Sequence, residues 1–381
     1  MFSSRKLEKG TYESIPLRFI ASGLHPDHDT IANFRKRFLP EIQDLFVQVL
    51  LLAKTAGVLK IGNISLDGTK IHADASKSHA VSAKRLDELT AQLRQEVQDL
   101  MILGEAADQD DLALPEGLVI VDEITRRQER LENLAKAKAV LEARAEERYE
   151  AEKAEYEAKM QRRAEQARHR KRKPGGRPPQ PPQPGVRDKD QYNFTDPDSH
   201  IMKNSTDQGV DQHYNAQIAV TQDSLFIVAP SLSNHPNDQH ELEPTLDAVP
   251  PAVGHPEAVA VDNGYFSADH VAACLERGID PYIATGREPH HPSWQAFFAQ
   301  PPAPPPDDAS PKVKMAYKLH TEIGQAIYRL RKCTVEPVIG IIKEVLGFRQ
   351  FSLRGLAAVR GEWNLVCLAY DLKRWFTLSN T

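Results

Sequence analysis

The sequence predicts an α/β protein: a core of strands and helices, preceded by a small helical unit and interrupted by a long helical insertion. Three observations predict it. Short apolar or alternating runs at 59–73, 213–229, 257–262 and 281–285 have the character of strands. Residues 81–172 are rich in Ala, Glu, Lys, Arg and Leu and lack Gly and Pro after Gly117, which is the pattern of a long helix. The first 56 residues read as helices throughout.

The 381 residues suffice for two or three domains with a full core. The net charge of −5 argues against a nucleic-acid partner, but charge is segregated along the chain. Residues 96–160 carry −9, whereas 161–190 and 311–375 each carry +7. Cys274, Cys333 and Cys367 are far apart, which excludes a zinc ribbon and suits a reducing compartment. No histidine spacing matches a zinc hydrolase. No apolar run approaches bilayer-spanning length, so a cytoplasmic location is expected.

In 1–56, Asp29 or Thr30 can cap a short helix that ends in Arg35, Lys36 and Arg37, and Glu41–Leu52 forms a second, amphipathic helix. This segment reads equally as a DNA-contacting unit or as a helical domain with a solvated basic face. The run 59–73 alternates through Ile61, Ile64, Leu66, Ile71 and Ala73, with Asp67-Gly68 in its middle. Asp-Gly suits a hairpin turn. It also suits a carboxylate projecting from a strand, with Gly68 leaving room beside it.

The insertion, 81–172, is expected as a helical hairpin broken at Leu114-Pro115-Glu116-Gly117, with a solvated arm or weak coiled coil beyond Leu141. The segment 173–190 follows as a basic, Pro-rich linker. Arg172, Lys173 and Arg177 flank Gly175-Gly176, and an extended Gly-Arg-Pro core can follow a narrow minor groove. A disordered basic linker explains the same residues and would still add salt-dependent affinity for DNA.

Residues 213–220 and 224–229 form an expected hairpin, 240–249 and 268–277 helices, and 281–285 a short strand. Helices are expected over 315–332, 335–345 and 356–376. Between them, Ala258–Val261 ends in Asp262 and a turn at Asn263-Gly264. A carboxylate at the tip of a buried strand requires a partner or a metal, although strand-end Asp before Asn-Gly is also ordinary turn chemistry.

Three leading strands followed by alternating helix and strand is the element order of a ribonuclease H-like fold. In that fold the first and fourth strands are neighbours, which would bring Asp67 to Asp262. The expected core is thus 57–80 with 191–355, followed by a C-terminal helix, 356–381. A third acid is expected from the helix after the last strand. Glu336 is the candidate, placed by Pro337 at a helix start or kink. Three carboxylates suit two Mg²⁺ (or Mn²⁺) ions about 4 Å apart for phosphoryl transfer, because magnesium takes oxygen ligands. A structural Glu–Lys or Glu–Arg network is the alternative reading of Glu336.

Asp67-Gly-Thr-Lys, Val261-Asp262-Asn-Gly-Tyr and Val335-Glu336-Pro, with Gly340, Lys343 and Gly347-Phe348-Arg349, resemble the three blocks of bacterial insertion-sequence DDE transposases. The branch is the one with a long helical insertion after the first Asp. Asp196-Pro-Asp-Ser-His200, Tyr214-Asn-Ala-Gln217 and the segments Ser3–Glu8 and His25–Ile31 also match. The resemblance implies metal-holding roles for Asp67, Asp262 and Glu336. It implies DNA contacts for Tyr328, Arg331, Lys332, Lys343, Arg349 and Arg354. The family's third block often reads Tyr-x₂-Arg-x₃-Glu-x₆-Lys. Here Glu336-x₆-Lys343 fits, but Arg331 lies five residues before Glu336 and Tyr328 is displaced by one. The implied partners are the element's terminal inverted repeats and target DNA, held by a homodimer. The N-terminal segment is short for the family, so the expectation is a chain that begins inside that domain. A ribonuclease H-like nuclease without joining activity and an inactive DNA-binding or scaffold copy are the rival readings.

Overall fold

The computed structural model describes residues 3–110, 115, 117–170, 178–204, 209–286 and 303–380. They divide into two compact units, Met1–Ala75 with Asp198–Thr381, and Ser76–Pro197.

The chain opens with helices α1 (Ser4–Glu13), α2 (Ile15–Ile20), α3 (His28–Arg37) and α4 (Leu39–Thr55). The cap of α3 is Asp27, not Asp29 or Thr30: its carboxylate accepts from the Thr30 N–H at 2.7 Å. Helix α4 buries Ile42, Phe46, Val49, Leu50 and Ala53, spaced along one helical face. Strand β1 (Asn63–His72) then enters the core with Ile64, Leu66 and Ile71 fully buried. It passes straight through Asp67-Gly68, so the hairpin-turn reading of that dipeptide is overturned.

The unit Ser76–Pro197 contains β2 (Ala80–Ser82), α5 (Ala83–Asp110), α6 (Ile120–Arg170) and β3 (Gln191–Asn193). Helices α5 and α6 run antiparallel, because Glu96 meets Arg127 while the earlier Asp87 meets the later Lys138. Their seam is narrow: Leu86, Leu93, Leu134, Ala137 and Leu141. Beyond Leu141 the helix is tied to the following segment. Arg148 forks onto Asp190 at 2.8 and 2.9 Å, and Arg187 reaches Glu152 at 2.8 Å. Strands β2 and β3 pair antiparallel, Ala80 opposite Asn193.

The remaining elements are β4 (His200–Lys203), β5 (Val210–Thr221), β6 (Ile227–Ser233), α7 (Leu242–Asp247), β7 (Ala258–Val261), α8 (Ala268–Glu276), β8 (Asp280–Ile283), α9 (Pro311–His320), α10 (Glu322–Gly340) and α11 (Leu356–Ser379). The mixed sheet runs β4-β5-β1-β7-β8, and β6 shares the outer edge of β5 with β4. β1 is antiparallel to β5 and parallel to β7, and β7 is parallel to β8. Nearly all of β5 is buried, as expected for a strand covered on both faces.

Two helical expectations change. The expected helix 315–332 breaks at Thr321, whose hydroxyl accepts from the Gly324 N–H at 3.1 Å and starts α10. Glu336 does not begin a helix. α10 runs through Pro337 and continues into a wider turn, Ile341–Val345. Val335, Val338 and Ile342 are buried there, and that burial overrides the local preference against a helix before proline. Among the described residues no helix is long and apolar enough to cross a membrane.

Candidate active site

Register brings the two aspartates together. Leu66 pairs with Val261 across the parallel β1–β7 ladder, so Asp67 and Asp262 are the next residues on neighbouring strands. On its other side Asp67 faces Ile218. Helix α10 is pinned over this point by polar contacts: Thr334 Oγ1 donates to Ser65 Oγ at 2.8 Å, and Gln222 Nε2 donates to the same oxygen and to the Ile327 carbonyl at 3.0 Å. Residues 264 positions apart can therefore meet: Arg331 Nη1 donates to Asp67 Oδ2 at 2.8 Å. Arg331 Nη2 also reaches Glu336 Oε1 at 3.5 Å.

The three acids occupy unlike surroundings. Asp67 is largely enclosed, and burial pushes its carboxyl up to about 6. The Arg331 guanidinium and the Gly68 N–H, which donates at 2.8 Å, oppose that rise, while the charges of Asp262 and Asp238 add to it. Asp262 is exposed, and its Oδ1 accepts from the Asn263 N–H at 2.6 Å. The Glu336 side chain is half exposed. For Arg331, burial works against the charge, but Asp67, Tyr328, Asp262 and Glu336 together raise its pKa above the ordinary value.

Beside Asp67 lies a polar cluster that joins Asn215 and Gln217 to Asp238. Asp238 Oδ1 accepts from Asn215 Nδ2 and Gln217 Nε2, both at 2.8 Å. The Tyr265 hydroxyl donates to Gln217 Oε1 at 2.5 Å. These side chains fill the space next to Gly68, where a Cβ would stand 2.2 Å from Gln217 Nε2 and 2.8 Å from Asp238 Oδ1. The room beside Gly68 is thus taken by the protein's own amide and carboxylate. Tyr214-Asn-Ala-Gln217 hinted at two members, but Asp238 sits in a loop without periodicity.

The expected DNA contacts scatter. Lys332 is exposed on α10 and Tyr328 is half-buried there, 5.9 Å below the Arg331 guanidinium. Lys343 is half-buried and donates to the Lys70 carbonyl at 3.2 Å. Its pKa is lowered by burial and by Arg349, against the pull of Glu344. Arg349 pairs with Glu344, and Arg354 with Asp74 at 2.9 Å. Arg331 is buried among the acids, where it pairs with Asp67. Arg172, Lys173 and Arg177 lie outside the described residues.

For a divalent ion the donor chemistry is suitable: every acid offers hard oxygen, and Asp67 is crowded by two further carboxylates. Among the described residues, however, no three such side chains are gathered as a ligand set, and a guanidinium lies between Asp67 and Glu336.

Two aspartates thus stand at the ends of neighbouring parallel strands, with a glutamate nearby on α10. Residues 190–372, which include Asp262 and Glu336, match the family described as "Transposase DDE domain". A stretch of 61 residues is 41% identical to a Burkholderia cepacia protein assigned as a transposase for insertion sequence element IS402. That stretch covers 14% of this chain and 29% of the relative. No solved structure matches. The similarity to the transposase family thus lies in residues 190–372, and the chain spans under a third of the length of the insertion-sequence relative it matches.

Proposed function

We propose that the chain cuts and joins DNA strands at the ends of an insertion sequence, on a ribonuclease H-like core. The observation that carries this reading is the β1–β7 register that sets Asp67 beside Asp262, with Glu336 tied to Asp67 through Arg331. Asp67, Asp262 and Glu336 would hold two Mg²⁺ or Mn²⁺ ions. When bound, such ions polarise the phosphodiester and stabilise the attacking and leaving oxygens. The polar cluster of Asn215, Gln217 and Asp238 packs against Gly68 and fills the space beside Asp67 on the β5 side. The in-line attack is by water and then by the freed DNA 3′-OH.

Double-stranded DNA, both terminal repeats and target, is the proposed partner. Lys332, Lys343, Arg349 and Arg354, with Arg172, Lys173 and Arg177 of the linker, are the proposed phosphate contacts. The helical segment 1–56 would add DNA contact, and the α5–α6 insertion would be an accessory helical domain. A homodimer follows from the need to hold two element ends, and the bacterial cytoplasm is the proposed location.

The test uses DNA that flanks the gene, incubated with the protein and Mg²⁺ or Mn²⁺. Nicks at a fixed boundary and joined products are expected, with Asp262→Asn reducing both by at least about a hundredfold. Cutting without joining would indicate a nuclease. Binding with neither would indicate a DNA-binding or scaffold role.

A further inference from the structure

Arg331 already stands as a cation among the acids. Its side chain is 6% exposed, it bonds Asp67 Oδ2 at 2.8 Å, and it touches Glu336 Oε1 at the outer limit of a hydrogen bond, 3.5 Å. Its Nε–H is buried without a partner among the described residues. A permanent structural ion pair in a protein interior satisfies its donors. This one leaves a donor orphaned and holds its second carboxylate loosely. A guanidinium cannot vacate the site by losing a proton, since it stays charged at any working pH. It can leave only by moving, and the same oxygens cannot serve it and a divalent ion at full strength.

We propose that Arg331 is an internal placeholder cation: it holds Asp67 and Glu336 in the absence of metal and competes with divalent cations for those oxygens, so that metal loading displaces its guanidinium. The proposal rests on the reading of the acids as metal-holding. It gives Arg331 a role set by the metal state of the protein, distinct from the DNA contact that its place in the third block implies.

The experiment measures Mn²⁺ binding to the full chain without DNA, by the electron-paramagnetic-resonance signal of free Mn²⁺. Arg331→Gln should bind Mn²⁺ at least about tenfold more tightly than wild type, because a competing buried charge is gone. Arg329→Gln removes the same net charge from the exposed face of α10 and should change affinity by less than about twofold. Equal or weaker binding by Arg331→Gln, in protein shown folded by circular dichroism, overturns the proposal. Where Arg331→Gln does not fold, wild type labelled with ¹⁵N-arginine decides. The Nε–H resonance absent from Arg331→Lys should move when Mg²⁺ is added, and an unmoved resonance overturns the proposal. Failure of the underlying reading looks different: Asp67→Asn and Asp262→Asn would each leave wild-type Mn²⁺ affinity unchanged.

Discussion

The two compact units use charge in different ways. In the unit of Met1–Ala75 and Asp198–Thr381, Arg331 and Asp67 pair inside the protein across 264 positions of sequence. In Ser76–Pro197, apart from the half-buried Arg148–Asp190 pair, ion pairs sit on helix surfaces: Glu123 with Arg126 and Arg127 within one turn, and Asp87 with Lys138 across the seam, 62% and 49% exposed. Their surroundings differ to match. The first unit has a broad core of sheet and helix that includes Trp363, Tyr214, Phe226 and Phe348. The second has one row of leucines and alanines. A buried charge is tolerated only where dense packing and hydrogen bonds hold its partner in place, and a site that needs such a charge must be built in the first kind of unit.

The largest effects that test this contrast come from truncating each core. Trp363 is 1% exposed and donates from Nε1 to the Gln217 carbonyl at 3.2 Å, behind the candidate site. Trp363→Ala should cost about 3–5 kcal/mol. Leu134→Ala, in the narrow seam, should cost about 2–3 kcal/mol, because two helices with few side chains between them can close on the gap. Urea unfolding followed by circular dichroism measures both. A larger loss for Leu134→Ala would break the comparison.

A second test makes one substitution in both units and expects opposite signs. Gly68→Ala drives a methyl group into Gln217 and Asp238 and should destabilise by about 1–3 kcal/mol. Gly104 lies within α5, where a Cβ meets Ile120 at an ordinary 3.7 Å. Gly104→Ala should stabilise by about 0.5–1 kcal/mol through helix propensity. The same unfolding midpoints report both, and a stabilising Gly68→Ala would mean that the cluster beside Asp67 is loose.

How far the sequence reveals this arrangement depends on how local the cause is. β1 and β7 are legible because alternation and apolar runs are local patterns, and their neighbouring placement follows from element order. Asp67 and Asp262 come with them. β2, β3 and β4 are not legible: each has three or four residues, and β2 finds its partner more than a hundred positions away. The passage of α10 through Pro337 is hidden because local preference favours a break, whereas burial of Val335 and Val338 decides otherwise. Asp238 and the inward turn of Arg331 are set wholly by tertiary contacts. A buried arginine and a surface one are spelled alike.

Histidine titration provides a third, smaller test. Burial pushes His213 down to about 4, and nearby His72 and Lys70 add to this, while the Asp211 carbonyl, 2.8 Å from Nδ1, and the Asp211 charge pull the other way. A histidine that stays neutral in the folded chain but protonates near 6.5 when unfolded takes up protons on unfolding. Stability should therefore fall as pH drops from about 6.5 to about 4, by at most about 1.4 kcal/mol per pH unit. Asp67, raised to about 6, works in the opposite sense between about 4 and 6, so the quantity to read is the difference between wild type and His213→Gln. His213→Gln should remove the His213 slope and leave that of Asp67. Parallel profiles for the two proteins would mean that His213 is not held neutral by its surroundings.

The smallest expected effect is at the exposed end of the contrast. Lys138 and Asp87 are 2.7 Å apart across the α5–α6 seam, yet both side chains stand largely in water. Their attraction is screened, and holding two long side chains together costs entropy that offsets much of it. Lys138→Ala should change stability by no more than about 0.5 kcal/mol, and the change should vanish in about 1 M salt. Measured beside Leu134→Ala, it separates what holds the helical pair together. If removing this lysine costs as much as removing the leucine, the seam is electrostatic rather than apolar, and surface charge would be structural in the one unit where it looks dispensable.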